Sequence, residues 1–251
     1  MTKPPRARSS DAPTPPRHGL ARVLSKLGIC SRSQAWDWIK AGRVRVNGVV
    51  ERNPERPTDS KRDRIEVDGE RAAPARRVYL MLNKPRGLVT TASDEKGRPT
   101  VFQCLEGLGL PPLGPVGRLD QASEGLLLFS NDTLWADAIT RPDRHLDKVY
   151  HVQIDQVGDE ALLARMRSGV ASEEGVLRVK GVSILRVGER NSWLEVVLDE
   201  GRNRQIRRLL EGLGVGVMRL IRIAIGSLEL GSLPKGKTRA LTAAEVRQLG
   251  G

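Results

Sequence analysis

The stretch that decides the fold is GRLDQASEGLLLFSND, Gly117 to Asp132. Its second half carries Leu126-Leu127-Leu128-Phe129, a short unbroken apolar run of the kind that forms a buried strand. Its first half is a loop, because Leu113-Gly114-Pro115-Val116-Gly117 leads into it through one Pro and two Gly, and Gly125 closes it. Asp120 sits inside that loop. A carboxylate in a glycine-bounded loop beside a buried strand is well placed to be held rigidly, although an Asp in a turn commonly serves the turn alone.

Outward from this stretch, Tyr79 to Leu82, Val149 to Ile154, Trp193 to Leu198 and Ile221 to Ile225 read as further strands. Leu134 to Thr140, Glu160 to Arg167 and Arg204 to Leu213 read as helices. Gaps of hairpin length, without a regular βαβ alternation, predict an α+β domain over residues 78–251 with a mixed, mostly antiparallel sheet.

Residues 20–77 have another character. Leu20, Val23, Leu24 and Leu27 recur at helical spacing up to Gly28. A second helix begins at Ser31 or Ser33 as N-cap, places Ala35, Trp36 and Ile39 on one side, and ends at Gly42. Arg43 to Val50 alternates basic and apolar residues around Asn47-Gly48, a strong hairpin signal. Ile65 to Gly69 repeats the strand and turn. Arg22, Lys26, Arg32, Lys40, Arg43 and Arg45 stud these elements and make an RNA-binding face the expectation for this small α/β module. The run GICSRSQAWDWIKAGRVRVNG, Gly28 to Gly48, resembles the hallmark of the S-four RNA-binding domain. Ser33 stands where many members carry another Arg, which would remove one phosphate contact.

Residues 1–19 hold five prolines with Ser, Thr and Arg, and are expected to be a disordered basic tail. Lys plus Arg number 42 against 30 for Asp plus Glu, a net charge of +12 that points to a polyanion partner. Aromatic residues make up 3% of the 251, so any base stacking must fall to a few individual side chains. Cys30 and Cys104 form no zinc spacing, and the three histidines complete none. No segment approaches the roughly 18 apolar residues of a membrane span, and the start lacks the apolar run of a signal peptide. The expectation is a soluble, cytoplasmic protein without metal or cofactor, and a monomer.

Two further runs carry chemistry. Glu200-Gly201-Arg202-Asn203-Arg204-Gln205-Ile206-Arg207-Arg208 packs four arginines where a strand end opens into a helix, an arrangement that repels itself unless an anion faces it. Ile206, Leu209 and Leu210 are free to face the core. Lys148-Val149-Tyr150 starts a strand with one of two tyrosines.

In chain order the motifs LNKPRG (Leu82 to Gly87), GRLDQASEGLLLFSND, KVY (Lys148 to Tyr150), EGRNRQIRRLL (Glu200 to Leu210) and RLIRIAIGSLELGSLPKG (Arg219 to Gly236) resemble the RsuA-type branch of pseudouridine synthases. The likeness spans about residues 20 to 245. It implies an enzyme that isomerises a uridine of ribosomal RNA, naked or within an assembling particle, with Asp120 as the carboxylate acting on the sugar. It further implies Arg207 as that carboxylate's charge partner, with Arg204 a close rival, and Tyr150 stacked on the uracil. Arg118 would fill the gap left by the extruded base, and Arg202, Asn203, Arg204 and Arg208 would contact RNA. Lys84-Pro85 reads as structural, packing near the tyrosine, and Gln121-Ala122 as an unusual pair outside the reactive position.

Gly231 to Thr238 satisfies GxxxxGK[ST], but only 13 residues follow and none is the Asp a phosphate-binding nucleotidase needs. Two rival functions remain, a non-catalytic ribosome-assembly factor and a transfer-RNA pseudouridine synthase. The joint presence of Asp120, Tyr150 and Arg207 argues against the first, and the N-terminal module with its long arginine run against the second.

Overall fold

The computed structural model describes residues 18–250 apart from Ser93 and Glu174. The chain divides into two compact units, one ending at Ala75 and one from Arg76 to Gly251. Residues 1–17 of the expected tail lie outside the described residues, but His18 and Gly19, read as its end, form a strand instead.

In the first unit β1 (His18–Gly19) pairs with β4 (Pro57–Thr58), and β2 (Val44–Val46), β3 (Val49–Val50), β5 (Ile65–Val67) and β6 (Glu70–Arg71) form a sheet in the order β3-β2-β5-β6. Asn47 and Gly48 take φ of 55° and 83°, and Asp68 and Gly69 take 52° and 86°, so two tight hairpins build the sheet. Helix α1 (Leu20–Lys26) and α2 (Arg32–Lys40) pack Leu20, Leu24, Ala35 and Ile39 onto Val44 and Val46. Ser31 caps α2 in a capping box with Gln34. Trp36, expected beside Ala35 and Ile39, is 41% exposed and points out of the core. Its position lies a quarter-turn from that apolar stripe and in line with Arg32 and Lys40 at four-residue spacing.

The second unit is a nine-stranded sheet. Along it run β13 (Gly181–Val187), β14 (Ser192–Leu198), β10 (Lys148–Ile154), β15 (Val217–Ile225), β9 (Glu124–Ser130), β7 (Tyr79–Lys84) and β17 (Thr238–Ala240). Beside that path β8 (Gly114–Val116) pairs with β9 and β16 (Leu228–Glu229) with β15, while β11 (Val170–Ser172) and β12 (Gly175–Leu177) make a separate hairpin. Helices α4 (Glu160–Ser168) and α5 (Gln205–Gly212) bury Leu163, Met166, Ile206, Leu209 and Leu210 against β10 and β14, and α3 (Thr133–Thr140) and α6 (Ala243–Gly250) pack on β7 and β9. Among the described residues no helix is long and apolar enough to cross a membrane.

Every pairing in this sheet is antiparallel except β9 with β15, where Glu124 and Gly125 face Ile221 and Arg222. Gly125 makes that junction possible. Its φ is +99°, and a Cβ built on it would lie 2.2 Å from the Arg222 carbonyl oxygen and 2.8 Å from the Arg222 nitrogen. Both the conformation and the space exclude a side chain. Gly125→Ala is therefore expected to lower unfolding stability by roughly 3 kcal/mol or more. Urea unfolding of wild type and variant checks this, and a loss under about 0.5 kcal/mol would show that the junction has slack.

Candidate active site

The loop from Gly117 to Ser123 joins β8 to β9, and its backbone is held residue by residue. The Leu119 carbonyl accepts the Thr90 hydroxyl at 2.7 Å. Those of Asp120 and Ser123 accept the Lys84 ammonium at 3.2 and 2.8 Å. The Gln121 carbonyl accepts the Gly87 N–H at 2.8 Å, and that of Ala122 an Arg207 N–H at 3.1 Å. Five successive carbonyls, 119 to 123, thus each have a donor. Leu119 anchors the loop in an apolar cluster with Leu82, Leu127 and Phe129. The Asp120 side chain is left projecting, about a third exposed, with Arg204 Nη1 3.7 Å from its Oδ2.

Lys84, expected to be structural, acts through its ammonium. It is fully buried, and its ammonium spans the Pro85, Asp120 and Ser123 carbonyls. The sequence signal was available: a Lys closing the buried strand YLMLNK needs acceptors inside the protein. Burial pushes its pKa down to about 8, with Asp120 and Glu124 pulling the other way.

Arg204, the rival partner, is the arginine within ion-pair distance of Asp120, and it takes a left-handed conformation (φ 49°) at the N-cap of α5. Arg207 points instead at the Ala122 and Val217 carbonyls, at 3.1 and 3.3 Å. Burial lowers the Arg207 pKa, and Arg204 and Arg86 add to this while Asp120 opposes it. Residue 204 precedes the helix and is aimed by its own backbone. Arg202 is held by Glu200 at 3.0 Å, Arg208 reaches the Asn203 carbonyl at 3.4 Å, and Asn203 and Arg118 are exposed. Tyr150 on β10 is half-buried and packs both on the cluster holding Leu119 and on that holding Val152 and Val196, which brings it beside the loop.

Three buried polar atoms lack a protein partner among the described residues: Ser123 Oγ, Arg207 Nε and Arg222 Nη2. All three belong to residues on or bonded to this loop and the strand after it, where Arg222 Nε donates to the Leu126 carbonyl at 2.8 Å. Unpaired buried donors cost free energy and concentrate at functional sites. Buried Glu124, absent from the sequence reading, accepts from Arg219 at 3.0 Å and pairs with Lys235. Burial works to raise its pKa, but these two cations outweigh it and leave the carboxyl below its ordinary value. The GxxxxGK[ST] run is thereby explained: it is the connection from β16 to β17, and Lys235 neutralises Glu124.

In the first unit, Arg43 donates to both Asp68 oxygens and lies 4.9 Å over Trp38. Arg32 faces Glu55 at 3.5 Å, Lys26 contacts His18 at 2.9 Å, and Arg45 reaches the Gly48 carbonyl at 3.1 Å. Lys40 stands 6.0 Å from the Trp36 ring centre, and Arg22 is exposed on α1.

Comparison with known proteins matches residues 78–212 to the RNA pseudouridylate synthase family and residues 19–59 to the S4 domain. A ribosomal large subunit pseudouridine synthase B of Bacillus subtilis is 35% identical over 92% of this chain and 94% of its own. The protein of the same name from Pseudomonas aeruginosa is 39% identical over 90% of this chain and 60% of its own. A solved pseudouridylate synthase, 29% identical, superposes with a TM-score of 0.65 over 92% of this chain and 99% of its own.

The Lys84 clamp has a pH signature. Between about pH 8 and the ordinary lysine value the folded protein binds fewer protons than the unfolded chain, so this group's contribution to stability rises with pH and is lost as pH falls through 8. The stability of wild type minus that of Lys84→Met is expected to rise by on the order of 2 kcal/mol from pH 7.5 to 10. A difference that stays flat in urea unfolding at the two pH values would show that Lys84 keeps its proton.

Proposed function

The chain belongs to the RNA pseudouridylate synthase family, and from that premise we propose that it isomerises a uridine of large-subunit ribosomal RNA with Asp120 as its reacting carboxylate. The observation that carries this reading is the loop in which five carbonyls are held and one carboxylate is presented. Two curated relatives named for the large ribosomal subunit support the choice of RNA.

The reaction breaks the bond from the sugar C1′ to uracil N1, turns the base, and joins C1′ to C5. The C5 proton leaves to solvent and N1 gains one, so atoms balance without redox or group transfer to a second molecule. Such chemistry needs a carboxylate fixed at the sugar and a surface against which the freed base can turn. Asp120 supplies the first, with Arg204 as its charge partner and the Lys84 clamp setting its position. Tyr150 supplies the second. Arg207 acts through the loop, by holding the Ala122 carbonyl, and Arg118 on the loop's exposed side takes the space left by the extruded nucleotide.

The N-terminal unit provides affinity. Arg32, Trp36 and Lys40 form an exposed basic-aromatic-basic line on α2, and an aromatic ring between cations is a platform for an unpaired base. Arg22 and Lys26 on α1 add phosphate contacts, whereas Arg43 serves the fold through Asp68.

Tritium release from ribosomal RNA labelled at uridine C5 tests the reaction. Wild type is expected to release tritium and Asp120→Asn to be slower by roughly a thousandfold or more with RNA affinity retained. Substantial release by the variant would remove Asp120 from its role, and no release by wild type would favour a non-catalytic RNA-binding factor. Trp36→Ala is expected to weaken RNA binding about tenfold at unchanged turnover of bound RNA. Equal affinities in a filter-binding titration would mean that Trp36 does not stack.

A further inference from the structure

Arg86 follows Lys84-Pro85 at the tip of the turn leaving β7, and the backbone around it is locked to the Asp120 loop. Gly87 N–H donates to the Gln121 carbonyl at 2.8 Å, and Gln121 Nε2 donates back to the Gly87 carbonyl at 3.1 Å. On the other side the Pro85 carbonyl accepts from the Lys84 ammonium at 3.1 Å, the same ammonium that holds Asp120 and Ser123. Arg86 is therefore presented by the scaffold that presents the carboxylate.

Its own side chain is nearly free. It is exposed, its one hydrogen bond is to the Met218 carbonyl at 3.5 Å, the outer limit for such a bond, and it makes no ion pair among the described residues. It lies within electrostatic reach of Arg207, as does Arg204, and Asp120 is the carboxylate that Arg207 feels. Arg86, Arg204 and Arg207 thus lie near one another, while Asp120 is paired with Arg204 and Glu124 is occupied by Arg219 and Lys235. Like charges fixed together by a satisfied backbone mark a place where an anion is to be bound.

We propose that Arg86 grips a backbone phosphodiester of the RNA strand next to the reacting uridine, and that the Gln121–Gly87 pairing positions it for that contact. The inference rests on the reading of the chain as an RNA pseudouridine synthase, whose substrate carries a phosphate on either side of the reacting sugar. A guanidinium suits this task because two of its N–H groups meet two phosphate oxygens in parallel. Gln121, which looks idle in the sequence, gains a role as a positioning residue.

The test compares wild type, Arg86→Gln, Arg86→Lys and Gln121→Ala on a transcript of large-subunit ribosomal RNA labelled at uridine C5, over a series of KCl concentrations. Equilibrium binding and tritium release are both measured. Arg86→Gln is expected to raise Kd and KM roughly tenfold, leave kcat within about twofold, and reduce the slope of log affinity against log salt by about 0.7. Arg86→Lys is expected to keep the slope while losing part of the affinity. Gln121→Ala is expected to raise KM by a smaller factor at an unchanged slope, since the charge remains. An Arg86→Gln slope equal to wild type, or a fall in kcat at constant KM, would overturn the phosphate contact. If wild type binds the RNA but releases no tritium, the reading of the activity fails, while the salt slope still decides the contact at Arg86.

Discussion

The structure around Asp120 depends on one constraint, the satisfaction of five consecutive backbone carbonyls in a loop that has no regular secondary structure of its own. Backbone acceptors away from water must find donors, and here they find them on two segments, Lys84, Gly87 and Thr90 at the end of β7 and just after it, and Arg207 on α5. The loop is therefore fixed by the rest of the second unit, and the carboxylate inherits that rigidity. Catalysis by a single charged group gains from such fixation, because reacting geometry is set before substrate arrives.

The same constraint explains why a lysine is tolerated at the end of a buried strand. Desolvating an ammonium is costly, and three carbonyl partners offset the cost only in part, as its pKa of about 8 records. The arginines around the loop follow another logic. Arg204 and Arg207 differ in what they touch, one facing the carboxylate and the other the peptide that carries it, although they lie three residues apart in one basic run. A left-handed backbone at residue 204 makes this division, since it turns the first arginine off the helical face that the second shares.

Much of the fold was legible. The hairpins at Asn47-Gly48 and Asp68-Gly69 follow from turn chemistry, the α2 start from Ser31, and strands β7, β9, β10, β14 and β15 from apolar patterning, each within a few residues of its bounds. What stayed hidden depends on partners remote in sequence. Strand β13 carries exposed Leu185 and Val187 at a sheet edge, and β17 is three residues long, so neither has a clean alternation. The parallel β9–β15 junction needs Gly125 and Arg222, almost a hundred residues apart. In the candidate site, the family resemblance singled out Asp120, Tyr150 and the arginine run, whereas Thr90, Gln121 and the buried Glu124 carry no local signature. Trp36 lies off the core because an apolar residue next to a core position on a helix points about 100° away from it.

The central claim is that Asp120, held in this way, isomerises a uridine of large-subunit ribosomal RNA. Its most direct test is a site-by-site map of pseudouridine in that RNA, by reverse transcription after carbodiimide treatment, from cells lacking the gene and from the same cells given back wild type or Asp120→Asn. The account requires one pseudouridine to vanish on deletion, to return with wild type, and to stay absent with the variant. Return of the modification with Asp120→Asn, or an unchanged map after deletion, would contradict it.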